Sequence, residues 1–102
     1  MTTRLAEKED VARLLLRKEG GAWLRERRLQ VGLSQRELAE RVEVAYYTFV
    51  SQIEAGRGRI PAERFSVWAE ALEMDPREFV RNVMWFYEPT TYQILFAEKE
   101  TA

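Results

Sequence analysis

Gly32-Leu33-Ser34-Gln35-Arg36-Glu37-Leu38-Ala39-Glu40-Arg41-Val42, followed by Ser51-Gln52-Ile53-Glu54-Ala55-Gly56-Arg57, decides how the rest of the chain reads. Ser34 with Glu37 three residues on forms a capping box, in which each residue satisfies an otherwise unpaired backbone N–H of a helix start. The run it opens is amphipathic, with Leu38, Ala39 and Val42 on one face. Gly56 stands where a second helix should stop, because glycine takes the left-handed conformation of a helix C-terminus without strain.

Working outward, glycine and proline punctuate a chain without repeats or low-complexity tracts. Residues 5 to 18 predict a first helix, with Leu5, Val11, Leu14 and Leu15 on one face and Gly20-Gly21 as its end. A second runs from about 22 to 31, carrying Trp23, Leu24, Arg27 and Arg28, and stops at Gly32. The third spans about 35 to 42. The fourth, about 46 to 54, holds Tyr46, Tyr47, Thr48, Phe49 and Val50, a composition that propensity alone favours as strand. Its apolar spacing and the stop at Gly56 favour helix, with Val50, Ile53 and Tyr46 toward the core and Phe49 open. Pro61 suits the first turn of a fifth helix, about 62 to 72, with Phe65, Trp68, Ala69 and Leu72 at core spacing. Asp75 caps a sixth, with Pro76 at its first position and Phe79, Val80, Val83 and Met84 on its apolar side. Pro89 forbids continuation, and Thr90 to Phe96 is expected to be an extended, strand-like aromatic tail.

The 102 residues suit one domain (1–102), large enough for a single core. The absence of Cys and His excludes disulfides, thiol nucleophiles, imidazole bases and the usual zinc ligands. No carboxylate pair stands out as general acid and base, so neither an enzyme, a metal site nor a cofactor is expected. No apolar run reaches the roughly 18 residues needed to span a bilayer. The opening Met-Thr-Thr-Arg-Leu-Ala-Glu lacks a signal peptide's apolar core, so a cytoplasmic location is expected. The net charge of −1 looks wrong for a nucleic-acid binder, yet its distribution is uneven. Residues 21 to 64 carry eight Arg against six Glu, whereas residues 65 to 102 carry three basic groups against seven acids. The basic excess therefore lies with the paired helices.

Two short helices across a tight turn, with polar side chains on the outer face of the second, have the layout of a helix-turn-helix DNA-binding unit. The chain resembles the Xre/Cro/CI family of phage repressor-like DNA-binding domains over about residues 22 to 84. The likeness is carried by Leu33-Ser34-Gln35-x-Glu37-Leu38-Ala39, Ile53-Glu54-x-Gly56, Pro61, Trp68-Ala69-x-Ala71-Leu72 and Asp75-Pro76-x-x-Phe79. It implies an all-α, lambda repressor-like five-helix domain that places its third helix in the major groove, usually as a two-fold dimer on a palindromic operator. The helix within 1–20 and the tail at 85–102 are additions to that domain.

Residue by residue, the resemblance implies phosphate contact at Gln35, with Arg36 beside it, and at Arg57 and Arg59. It also implies a buried ion pair between Arg28 and Glu54, and a base-reading face at Tyr47, Thr48, Ser51 and Gln52. The interval from Val42 to Gly56 is one residue longer than the family's usual spacing, and Glu43-Val44-Ala45 stands where a turn glycine is common. On chemical grounds Gln52 suits bidentate pairing to adenine, and Thr48 and Ser51 suit base edges or phosphates, although a solvated helix face also accommodates all three. Arg57 and Arg59 lie beside glycines that let the backbone approach a phosphate, with no acid between them. Arg25, Arg27, Arg36, Arg41 and Arg64 read more simply as surface charge.

Trp85, Phe86, Tyr92, Ile94 and Phe96 crowd the tail, and an apolar patch of that kind marks a homodimer interface. The alternative is a tail folded back over Leu14 and Leu15. The expected whole is a double-stranded-DNA-binding transcriptional regulator, homodimeric, with no membrane or small-molecule partner. The rival reading is a protein-interaction module, antitoxin-like or coactivator-like, built on the same fold.

Overall fold

A computed structural model describes residues 2–97, with side chains described from residue 6. Among them are six α-helices, α1 (Thr2–Val31), α2 (Gln35–Arg41), α3 (Tyr47–Glu54), α4 (Phe65–Ala71), α5 (Pro76–Tyr87) and α6 (Pro89–Phe96), with a 3-10 turn at Ala62–Arg64 before α4. No strand occurs among these residues.

The expected break at Gly20-Gly21 is absent, and α1 runs through it as one helix of 30 residues. The two glycines serve close packing instead. A Cβ on Gly20 would stand 2.8 Å from Phe86 Cβ, and one on Gly21 would stand 2.2 Å from the Glu54 carbonyl oxygen. Helix α1 therefore lies directly on α5 and on the end of α3, at the cost of two poor helix formers. The real stop is Gly32, at φ +87°. There the Leu33 N–H reaches the Arg28 carbonyl (3.1 Å) and the Gly32 N–H that of Leu29 (3.0 Å), which is a Schellman cap.

The same cap closes α2, where the Val44 N–H bonds the Ala39 carbonyl (3.0 Å) and the Glu43 N–H bonds that of Glu40 (3.1 Å). Here the left-handed residue is Glu43, at φ 58°. The turn thus keeps the geometry that a glycine would adopt more cheaply. At the other end of α2, the Ser34 hydroxyl accepts the Glu37 N–H (3.0 Å) and the Glu37 carboxylate accepts the Ser34 N–H (2.9 Å).

The core joins Leu24 of α1, Leu38 and Val42 of the α2 segment, Val50 and Ile53 of α3, Trp68 and Leu72 of the α4 segment, and Phe79 and Val83 of α5. Three expectations about it fail. Val11, Leu14 and Leu15 are exposed, because no other helix covers their face of α1; Leu5 lies outside the described side chains. Tyr46 is 75% exposed, since it is the extended N-cap of α3 and falls off the helix's apolar face. The tail is helical.

Glu88 (φ −138°, ψ 66°) breaks α5 and turns the chain, and Pro89 then starts α6 from the first-turn position that suits its fixed φ and missing N–H. The alternation of Tyr92, Ile94 and Phe96 therefore does not form a strand face. Tyr92 and Phe96, four apart, pack with tilted rings 5.2 Å between centres, and Tyr92 meets Trp85 of α5 at 5.4 Å. Arg81 lies over the Phe96 ring at 4.7 Å. The tail folds along α5 and leaves Leu14 and Leu15 uncovered.

Candidate nucleic-acid interface

Helix α3 is fixed from beneath by a buried cluster of charge. Arg28 of α1 donates from Nε to Glu54 Oε2 (2.6 Å) and from Nη2 to Oε1 (3.0 Å), a bidentate pair joining the first helix to the last residue of α3. Its third nitrogen, Nη1, donates to the Leu33 carbonyl (2.8 Å), so the guanidinium also secures the α1–α2 corner. Gln35 adds a third bond to the carboxylate, from Nε2 to Oε1 (3.0 Å). The pair is almost wholly out of water, with side chains 7% and 4% exposed. Pairing of this kind offsets the desolvation of both ions only because the hydrogen bonds are nearly complete. Gln35, for which the resemblance implied a phosphate contact, is thus partly committed inward. Its second amide hydrogen and its carbonyl oxygen remain for another partner.

On the outer side of α3, Tyr47, Thr48 and Gln52 are exposed and Ser51 is half-buried. Helical geometry sets Tyr47 above Ser51 and Thr48 above Gln52, giving two adjacent stripes along one face. The Arg36 guanidinium of α2 sits over the Tyr47 ring at 4.6 Å. Phe49, left open by the sequence, stands edge-on to Trp68 at 6.3 Å and forms with Val44, Ala45, Tyr46, Thr48 and Gln52 a shallow groove beside the stripes.

The loop after α3 starts at Gly56 (φ +79°) and carries Arg57, exposed. No acid separates Arg57 from Arg59 along the chain, yet Arg59 meets one in space. Its Nη1 donates to Glu88 Oε2 (3.1 Å), and its guanidinium lies 4.9 Å from the Tyr87 ring centre. The acid comes from the end of α5, 29 positions away, where no local pattern shows it. About half of each side chain is exposed (45% and 51%), and such surface pairs contribute only about 0 to 1 kcal/mol, so Glu88 holds Arg59 weakly.

Tyr87 fastens this loop. Its hydroxyl accepts the Ile60 N–H (3.1 Å), and its ring carries Arg17 as well as Arg59. Burial pushes the phenol's pKa up, partly opposed by the Ile60 N–H and the two guanidinium charges.

Sequence reasoning missed the work of several arginines. Arg27 donates to the carbonyls of Leu72 and Glu73 (both 2.8 Å), Arg41 to that of Ala71 (3.5 Å), and Arg64 to that of Val42. Each closes a helix C-terminus rather than sitting as free surface charge. The spacings exceed 20 residues, so no signal along the chain marks them.

Of the five tail residues expected at a dimer interface, Phe86 is held against Trp23 (5.9 Å) and Gly20, while Trp85, Tyr92 and Phe96 are half-buried on one another. Ile94 points outward, 78% exposed, with Leu95 beside it. Among the described residues no cluster of acids or other ligands is placed to hold a metal, and no helix is long and apolar enough to cross a membrane.

A family model described as helix-turn-helix matches residues 24–79, from the second half of α1 into α5. No curated protein matches the chain.

Proposed function

The chain belongs to the Xre/Cro/CI-like helix-turn-helix family and is in general terms a DNA-binding regulator. From that premise we propose that it reads a palindromic operator as a homodimer and acts by occupying that site. The observation that carries this reading is the pairing of an outward polar face, Tyr47, Thr48, Ser51 and Gln52, with a buried Arg28–Glu54–Gln35 cluster that holds its helix at a fixed angle. Base edges are read only by side chains held in register, and phosphates position them. Arg36, Arg57, Arg59 and the free edge of Gln35 supply the phosphate contacts in this reading. Ile94 and Leu95, with the Trp85–Tyr92–Phe96 edge beside them, supply the contact between copies. No small-molecule ligand, cofactor or catalytic group enters the reading, and its compartment is the cytoplasm, where its DNA would be.

Selection from a random duplex pool, followed by gel shifts of the winning sequence, tests it. The expected consensus has two inverted half-sites about 34 Å apart, one turn of DNA. Gln52→Ala should relax one base pair in each half-site, at a cost of about 1 to 3 kcal/mol for a bidentate contact. Ile94→Asp should yield a folded monomer with weakened operator binding. No enriched sequence, or an unchanged consensus with Gln52→Ala, contradicts the reading.

A second reading, a protein-binding role on the same fold, is favoured by the uncovered Val11, Leu14 and Leu15 of α1. A chain that binds no duplex but is retained by a protein partner through those three residues would replace the first reading with this one.

A further inference from the structure

The N-terminal half of α1 does not run clear of the loop after α3; the two meet in a groove of about 860 Å³. Its walls are Arg13, Leu14, Arg17 and Lys18 on one side and the Ala55–Arg57 corner on the other, with Asp10 at one end. Three cations thus line one wall and Arg57 the other, and the one carboxylate of the lining, Asp10, is engaged by Arg13.

The close approach is built into the backbone. Gly56 takes φ +79°, and a Cβ there would stand 2.8 Å from Lys18 Cα, so the corner touches the α1 main chain and brings the stems of Lys18 and Arg57 out side by side. Arg17 belongs to the same wall, and its guanidinium is turned to the Tyr87 ring centre (5.1 Å) and the Gly58 carbonyl (Nη1, 3.5 Å). Arg13, Lys18 and Arg57 are exposed. Arg13 and Arg17 are four positions apart on one helix, about 6 Å along its axis, so the charge forms a line rather than a point.

We propose that this groove binds the sugar-phosphate backbone of DNA, so that α1 extends the duplex contact beyond the helix-turn-helix. The inference rests on the DNA-binding reading above and adds to the Arg57 corner a wall of α1, residues 10 to 18, that lies outside the matched residues 24–79. Three features select a nucleic-acid backbone over a free anion. The cations are spread along a helix, an apolar Leu14 stands among them where a sugar edge can lie, and the groove starts at Arg57, three residues past the end of α3. A strand that leaves the reading helix past Arg57 enters it directly.

The test uses the full chain and the duplex recovered by selection, with fluorescence anisotropy across a salt series and hydroxyl-radical footprinting. Arg13→Gln and Lys18→Gln alter exposed side chains, and circular dichroism checks their fold. Each is expected to lower the log–log salt slope by about 0.9, equivalent to about eightfold weaker binding at 0.1 M salt relative to a 1 M reference. The loss should be equal on specific and random duplex, and protection should shrink at the footprint's outer edge in the double variant. Parent and variants with the same slope and the same footprint overturn the groove's role while leaving the helix-turn-helix contact standing. A parent that binds no duplex overturns both.

Discussion

Glu54→Gln removes one oxygen's charge and little volume, which makes it a clean probe of the buried cluster. The carboxylate accepts three hydrogen bonds, two from Arg28 (2.6 and 3.0 Å) and one from Gln35 (3.0 Å). With glutamine in its place, one bond to Arg28 survives at reduced strength, and the amide's own hydrogens meet guanidinium hydrogens. Arg28 cannot escape to water, since it is 6% exposed and its third nitrogen is tied to the Leu33 carbonyl (2.8 Å). The result is an uncompensated buried cation, which typically costs about 3 to 5 kcal/mol. Domains of this size have a total stability of only about 5 to 15 kcal/mol, so the variant should lose a large share of it. At about 4 to 8 °C per kcal/mol, the melting temperature should fall by roughly 12 °C at the least. Urea denaturation followed by tryptophan fluorescence reads the change, and an unaltered m-value would place the effect in the folded state. Arg28→Met combined with Glu54→Met should recover part of the loss, because removing both ions is far cheaper than stranding one. A Glu54→Gln midpoint within about 1 kcal/mol of the parent, the range of exposed pairs, would refute the account.

Gly21→Ala should destabilise by about 1 to 3 kcal/mol or more despite alanine's better helix propensity, because its methyl meets the Glu54 carbonyl at 2.2 Å; a stabilised variant by thermal melting would refute the backbone contact. Glu43→Gly should do the reverse and stabilise by up to about 1 kcal/mol, since φ 58° strains any residue with a Cβ; a lower urea midpoint would show that the Glu43 side chain has a role of its own. The bond from the Ser34 N–H, then that from its hydroxyl, then the charge of Arg41 hold the Glu37 carboxyl below the ordinary carboxylate range. The cap's contribution is therefore full above the unfolded pKa and is lost as pH falls through the lower folded one. The stability gap between parent and Glu37→Gln should accordingly close on acidification, and a gap that persists at pH 2 would contradict the linkage.

What could be read from the chain was what its neighbours within a few residues decide. Ser34 with Glu37, Asp75 with Pro76, and the stops at Gly32 and Gly56 each act over one helical turn, so their residue types suffice. The Arg28–Glu54 contact was reachable only through family resemblance, because 26 positions separate the two. Gly20-Gly21 illustrates the limit. A glycine pair ends a helix or admits a neighbour according to what lies across from it, and Phe86 and the Glu54 carbonyl are both distant in sequence. The tail failed for a different reason. Tyr92 and Phe96 satisfy both a two-residue and a four-residue period, and a short aromatic run carries no local sign of which applies. The exposed face of α3 could be named from the sequence, but not Glu88 beside Arg59 or Arg17 at the groove, which only the packing of α5 and α1 brings there.

The glycine dent in α1 also has a mechanical meaning. Side chains at a helix crossing ordinarily act as springs, since rotamers shift to absorb small displacements. At Gly21 there is no side chain, and main chain bears on main chain at the last residue of the reading helix. The helix is therefore a stiff lever about 45 Å long with its fulcrum at that contact. One arm meets the Gly56 corner at Lys18 and is exposed over residues 6 to 15, and the other, from Leu24 to Arg28, is clamped in the core. Where main chain meets main chain no rotamer can absorb a displacement, so a shift of α1 at Gly21 passes directly to the last residue of α3.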